Sequence, residues 1–210
     1  MVRSIVYIDV FNFYYGLLRS GKYKGCKWLD LEGVFKAIRQ HDEIRVIRYF
    51  TAFWPDESGE RHKVYAGALS QLPIVDVRAG RYKKKSIRCQ VRECRYAGNR
   101  VFRSYEEKET DVSIALAMLD DAYQKKCEAM ILVTADSDLV PAINLVKDRF
   151  PDIRIIAYIP GPHKRFQTAI HIRTACDDSR LFPANLLPKF QLPQDIVADG
   201  GRTYRKPSQW

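Results

Sequence analysis

Apolar positions along this chain follow two alternating rhythms. Ser4 to Asp9 (SIVYID) is an unbroken, largely β-branched run without turn residues, the pattern of a strand covered on both faces. Behind Asp30, the residues Leu31, Val34, Phe35 and Ile38 repeat at three- and four-residue spacing, which predicts a helix capped by that aspartate. A strand over Ile44 to Phe53 follows, then a turn around 55–59, a helical stretch near Arg61 to Gln71 and a strand at Ile74 to Val77. From Thr110 the positions Val112, Ala115, Leu116, Leu119, Ala122 and Tyr123 mark an amphipathic helix with Asp111 in its first turn. Met130 to Thr134 reads as another buried strand, Asp138 to Phe150 as a helix that tolerates Pro141 in its first turn, and Ile153 to Ile159 as a fifth strand. His163 to Asp177 is expected to be helical, and the pattern over Phe182 to Pro193 favours no element.

Strands alternating with helices over short connections predict an α/β fold, a doubly wound and mainly parallel sheet. One domain over 1–192 is expected, with a mobile tail over 193–210, where Gly200, Gly201 and Pro207 sit among basic residues. The segment 78–108 breaks the rhythm, carrying eleven Lys and Arg against three Glu, and reads as an inserted basic hairpin.

Composition sharpens this picture. The chain has 210 residues, 46% of them hydrophobic, enough for one good core, and its formal net charge of +10 favours a polyanionic partner. A membrane partner is not expected, since no apolar run approaches the ~20 residues of a span and no basic amphipathic helix appears. The start Met1-Val2-Arg3-Ser4 lacks the pattern of a secretory signal, and five scattered cysteines read as reduced thiols, so a cytoplasmic location is expected. Cys89 and Cys94 lie five positions apart inside the hairpin, without two further ligands in view for a metal knuckle.

Carboxylates fall where such a sheet gathers functional groups, at strand C-termini and the loops beyond them. Asp9 ends the first strand, Asp136 and Asp138 follow the Met130 to Thr134 strand, and Asp111 opens the helix between. If the first and fourth strands are neighbours, all four converge. Two carboxylates at ~5 Å and an effective dielectric of ~20 repel by about 3 kcal/mol, so either protons or a cation must compensate. Without paired histidines, an all-oxygen set favours Mg²⁺ or Mn²⁺, ions suited to phosphoryl chemistry. The plainer reading is that Asp111 and Asp138 are only helix caps. Asp9 resists it, because an acid ending a buried strand needs a partner and none is adjacent in sequence.

Three segments in register, Ile8-Asp9-Val10-Phe11-Asn12, Glu107-Lys108-Glu109-Thr110-Asp111-Val112 and Val133-Thr134-Ala135-Asp136-Ser137-Asp138-Leu139, resemble the motifs of the NYN family. These are PIN-like nucleases that include LabA-like bacterial proteins, and the likeness runs from about Ile5 to Tyr158. The resemblance implies a five-stranded parallel sheet of order 3-2-1-4-5 and a Mg²⁺- or Mn²⁺-dependent ribonuclease. It implies Asp9, Asp111, Asp136 and Asp138 as metal-binding acids, Asn12 as a residue orienting water or phosphate, and Thr134 as shaping the site. Many relatives carry a further acid two turns into the helix that Asp111 opens, where this chain has Ala117; Asp120 and Asp121 come later. One bound ion or two is therefore left open.

The hairpin is the expected RNA-contacting element, through Arg81, Lys83, Lys84, Lys85, Arg88, Arg92, Arg95 and Lys108, with Tyr82, Tyr96, Phe102 and Tyr105 interleaved for stacking on unpaired bases. Phe13, Tyr14 and Tyr15 are expected in the core. The competing reading keeps the fold and makes the chain a non-catalytic RNA-binding scaffold, and a second copy of the chain is a further candidate partner. No Gly-rich phosphate loop follows any strand, which leaves P-loop and dinucleotide chemistry without support.

Overall fold

Residues 1–19 and 21–210 are described by the computed structural model. Strand β1 (Val2–Asp9) is buried from Ser4 onward and sits in the middle of a six-stranded sheet with β2 (Asp42–Thr51), β3 (Val75–Ala79), β6 (Ala129–Val133), β7 (Arg154–Ile159) and β8 (Asp178–Leu181). The spatial order is β3-β2-β1-β6-β7-β8, and every neighbouring pair is parallel. The first five of these strands in chain order take the expected arrangement. The sixth, β8, was not expected: its four residues, Asp-Ser-Arg-Leu, carry no apolar run, and its place on the sheet edge comes from pairing Ile156 to Asp178 and Ile159 to Leu181.

Alternation along the strands splits the core into two layers. Val6 and Ile8 face one cluster with Val34 and Phe35 of α2 (Leu31–Ile38) and Leu69 of α3 (Glu57–Leu69). Ile5 and Tyr7 face the other, with Ile114 and Met118 of α4 (Thr110–Tyr123), Ile143 and Val146 of α5 (Val140–Arg149) and Ile172 of α7 (Ile170–Ala175). Asp30 caps α2, its side chain accepting from Gly33 N at 3.0 Å. The helical span expected over 163–177 is two short helices, α6 (His163–Thr168) and α7, broken at Ala169.

The basic insertion is a hairpin of β4 (Arg81–Arg88) and β5 (Val101–Lys108), paired antiparallel from Arg81 opposite Lys108 to Arg88 opposite Val101. The segment expected to be a mobile tail is instead docked. Strands β9 (Asp195–Val197) and β10 (Thr203–Arg205) form a second hairpin, and Ile196, Tyr204 and Trp210 pack on the α2–α3 layer. Gly67 of α3 makes room for this, since a Cβ there would stand 2.2 Å from the Tyr204 ring. No helix among the described residues is long and apolar enough to cross a membrane.

Candidate metal centre

Chain order reverses between β1 and β6, opening a crevice at the strands' carboxyl ends, where open α/β sheets place their ligands. Asp9 closes β1 there and is 3% exposed. Its Oδ1 accepts from Asn12 N at 3.1 Å, and its Oδ2 accepts from Asn12 Nδ2 at 2.6 Å and Thr134 Oγ1 at 2.8 Å. These three bonds leave part of the carboxylate's ~four acceptor positions for a further partner. Thr134, itself buried beyond β6, also accepts from Asp136 N at 3.0 Å. Thr134 therefore ties the end of β1 to the loop that carries Asp136.

Asp111 reaches the crevice from the first turn of α4. The chain turns into that helix through Glu109, a non-glycine residue at φ 83°, in a left-handed conformation uncommon outside strained or functional turns. Glu107, at the end of β5, supplies the helix's missing cap by accepting from Thr110 N at 3.1 Å and from the Thr110 hydroxyl. Sequence reasoning assigned Glu107 no role. Its signal was an acid three residues before a helix-opening Thr, on the strand leading in.

One carboxylate oxygen each of Asp9, Asp111 and Asp136 lies within 4.8 Å of the others. Asp138 is exposed and stands outside this group, although its charge is felt at Asp111. The separation has a local cause: Asp136 caps the 3-10 turn Ser137–Leu139, accepting from Asp138 N at 3.0 Å, and the chain turns away after it. Asn12, expected to orient water or phosphate, has its side chain engaged by protein. It donates to Asp9 and accepts from Ala135 N at 3.3 Å and from the Arg165 guanidinium. Arg165 was not foreseen; it lies on α6 just past β7, in the basic run His163-Lys164-Arg165 at this same edge of the sheet.

No Lys or Arg pairs with Asp9, Asp111, Asp136 or Asp138 among the described residues, whereas Asp42, Asp76, Asp121 and Asp177 all have cationic partners. Uncompensated charge shifts the acids. Asp111 is raised to about 6, first by desolvation and then by Asp9, Asp136, Glu107 and Asp138. Asp9 is raised by burial, with Asp136 adding and the bonds from Asn12 and Thr134 opposing. A compact all-oxygen set whose charge no cation among the described residues pairs with fits a hard divalent cation of the Mg²⁺ or Mn²⁺ kind.

Asp121 has a different use. It is fully buried under the sheet, where it accepts from Arg48 Nε and from Tyr7 Oη, each at 2.8 Å. Arg48 also donates to Asp76 at 2.7 Å. This acid neutralises an arginine that strand alternation drives into the core.

Of the eight cations expected to meet RNA, Arg81 pairs with Glu109 at 2.6 Å, and Lys85 and Lys108 share Glu106 at 3.4 and 3.0 Å. Lys83, Lys84, Arg88, Arg92 and Arg95 have no acidic partner among the described residues. Beyond Asp9, Val10 and Phe11 form one wall of a cleft of about 310 Å³ that runs under Trp54 and Tyr82 to Trp210. Phe13 is core, as expected, but Tyr14 is only partly buried and Tyr15 half exposed, and both line this cleft.

Residues 3–181 match the family model described as the NYN domain. The chain is 28% identical over 245 aligned positions to 6-hydroxy-3-succinoylpyridine 3-monooxygenase HspA of Pseudomonas putida, an alignment spanning all of this chain and 75% of that protein. A crystal structure of a Vibrio parahaemolyticus protein of unknown function superposes with a TM-score of 0.56 at 16% identity, over 91% of this chain and 96% of that one. That likeness is one of fold.

Proposed function

Taking as premise that the chain belongs to the NYN domain family, within the PIN-like ribonuclease superfamily, we propose that it is a divalent-metal-dependent nuclease that hydrolyses RNA phosphodiester bonds. The observation that carries this reading is the convergence of Asp9, Asp111 and Asp136 to within 4.8 Å at the sheet's carboxyl edge, with no Lys or Arg paired to them among the described residues. These three residues would hold Mg²⁺ or Mn²⁺, with Asp138 at the rim. When bound, such an ion activates water and neutralises the phosphate oxygens of an in-line displacement. The protein's own part is positional. Thr134 and Asn12 fix the Asp9 carboxylate, Asn12 is fixed in turn by Ala135 and Arg165, and Glu107 orients the turn carrying Asp111. The unpaired hairpin cations Lys83, Lys84, Arg88, Arg92 and Arg95 supply phosphate contacts. A negative cluster adds nothing to a surface that only binds RNA, which favours the enzyme over a scaffold on the same fold.

The test is cleavage of a panel of single-stranded, hairpin and transfer RNAs with Mn²⁺ or Mg²⁺. Cleavage with 5′-phosphate and 3′-hydroxyl products is expected, abolished by EDTA and reduced on the order of 10²–10³-fold in an Asp9→Asn/Asp136→Asn double variant that still folds. Tight RNA binding without cleavage, the same in the double variant, would establish the scaffold instead.

A second reading starts from the Pseudomonas putida relative, named for oxygenation of a hydroxypyridine bearing a succinoyl arm. The aromatic cleft beside Asp9 favours it, because its size and lining suit a single ring. Consumption of 6-hydroxy-3-succinoylpyridine in the presence of dioxygen and a reductant, without RNA cleavage, would replace the nuclease reading.

A further inference from the structure

Rings and cations dominate the lining of the cleft beyond Asp9, and no acid lines it among the described residues. Two aromatic pairs line it: Trp54 meets Tyr82 edge to face with centroids 4.6 Å apart, and Tyr14 meets Tyr15 at 5.5 Å. The cations are held against ring faces. Arg19 lies 5.0 Å from the Tyr15 centroid, and Lys27 lies 5.7 Å from that of Tyr14 and 5.8 Å from that of Trp210. Of the three lining cations, Arg61 alone meets an acid, Glu57 at 3.8 Å, and that glutamate is 97% exposed. Lys27 is pulled below its ordinary range by burial and then by its neighbours Arg61 and Lys24, so like charges crowd here with only the exposed Glu57 as a counter-ion. Behind them His62 accepts from or donates to Tyr49 Oη at 2.8 Å; desolvation holds its imidazole down to about 4, leaving it neutral at pH 7.

Each feature asks something of a ligand. A lining rich in aromatic rings favours a planar ring, and crowded cations favour an anion that relieves their repulsion. A volume of about 310 Å³ lies at the low end of ligand pockets, ~300–1,000 Å³, and admits one ring system with a short polar arm rather than a dinucleotide.

We propose that this cleft is a binding site for a planar aromatic ring carrying an anionic group, the chemistry shared by one unpaired nucleotide of an RNA strand and by a free heteroaromatic carboxylic acid. The ring lies between the Trp54–Tyr82 side and Tyr15, and its anionic group lies toward Lys27 and Arg61. For the RNA source the site deepens, and rests on, the nuclease reading: Val10 and Phe11 join the cleft wall directly to Asp9, so a base held there keeps its backbone beside the acids. For the free acid it rests on the second reading, which uses the same cleft.

Binding is measured on the full chain in EDTA, by quenching of tryptophan emission, since Trp54 and Trp210 belong to the wall. The probes are uridine and adenosine 5′-monophosphates, pyridine-3-carboxylate, and uridine and inorganic phosphate as half-ligands. Saturable quenching by an aromatic anion is expected, with either half-ligand weaker by about tenfold or more, and with Lys27→Met and Arg61→Gln each weakening it about tenfold at unchanged thermal stability. Tighter binding of the nucleotides assigns the site to RNA, and tighter binding of the pyridine acid assigns it to a small molecule. Absence of saturable binding by either class into the millimolar range, equal binding by uridine, or full binding in both folded variants would overturn the proposal. Cleavage without this binding would sink this site and leave the nuclease standing; binding without cleavage would do the reverse.

Discussion

Asp111 carries the clearest consequence at the scale of single residues. Its carboxyl is raised from 3.8 to about 6, so in the folded, metal-free protein it holds a proton more strongly than in the unfolded chain. The sign follows from linkage: the ionised group destabilises the fold above about pH 6, and this penalty fades as pH falls from about 6 toward 3.8. Without metal, Asp111→Asn should therefore melt above the wild type at pH 7.5, by a few degrees at ~2–4 °C per kcal/mol, and the gap should be roughly halved near pH 5 and nearly closed by about pH 4. Groups common to both proteins cancel in that difference. Mn²⁺ should raise the wild-type melting temperature at pH 7.5 and leave the variant nearly unmoved. A gap independent of pH would contradict the crowding of acids around Asp111.

The same residues show what a sequence can disclose. Asp9 was legible because it is an acid ending an apolar strand, but the expectation that nothing adjacent would partner it fails: Asn12, three residues on, supplies two of its hydrogen bonds, and Thr134, 125 positions away, supplies the third. Asp136 and Asp138 were not separable, since both follow one strand in one motif. Only the 3-10 turn that Asp136 caps decides which of them joins Asp9. Asp121, on α4, carried no signal at all, because its reason is Arg48 on β2, 73 positions away.

At the scale of elements, the basic hairpin is long, charged and paired only to itself, so its position depends on a few contacts with the body. Trp54 provides them, meeting Tyr82 of β4 at 4.6 Å and Tyr105 of β5 at 5.5 Å, while Phe11 meets Tyr82 at 6.0 Å. Trp54 is itself fixed by Gly59, where a Cβ would fall 1.7 Å from the Trp54 carbonyl oxygen. Two aromatic pairs at ~0.5–1.5 kcal/mol each predict that Trp54→Ala accelerates hydrogen exchange of the β4–β5 amides on the order of tenfold, with the central strands unchanged. Equal protection in both proteins would mean that the hairpin is held elsewhere. The hairpin as an element was legible from its charge and its break in periodicity, but its clamp was not. The residue that anchors it lies in the loop after β2, and aromatic contacts between distant segments leave no period to read.

Over the whole molecule, periodicity exposed the two-layered sheet because each central strand is covered on both faces and reads as an apolar run. It missed what closes the structure at its edge. The segment after Leu192 has glycines, two prolines and charges, which locally describe a loop; its docking depends on Gly67, whose absent side chain receives Tyr204, and on Trp210 meeting Trp28 and Tyr65 at 6.4 and 5.8 Å. Ile196, Tyr204 and Trp210 are only partly buried, so their joint contribution is roughly 2–4 kcal/mol, against ~1.5–3 for each large side chain fully covered. Deleting 195–210 should lower the melting temperature by about 5–10 °C, and it should also take one aromatic wall from the cleft beside Asp9. Replacing Gly67 with Leu should reproduce most of that loss, because the side chain would occupy the place of the Tyr204 ring while the rest of α3 keeps its packing. A truncated chain that melts with the full-length protein would show that the C-terminal hairpin lies on the domain without stabilising it.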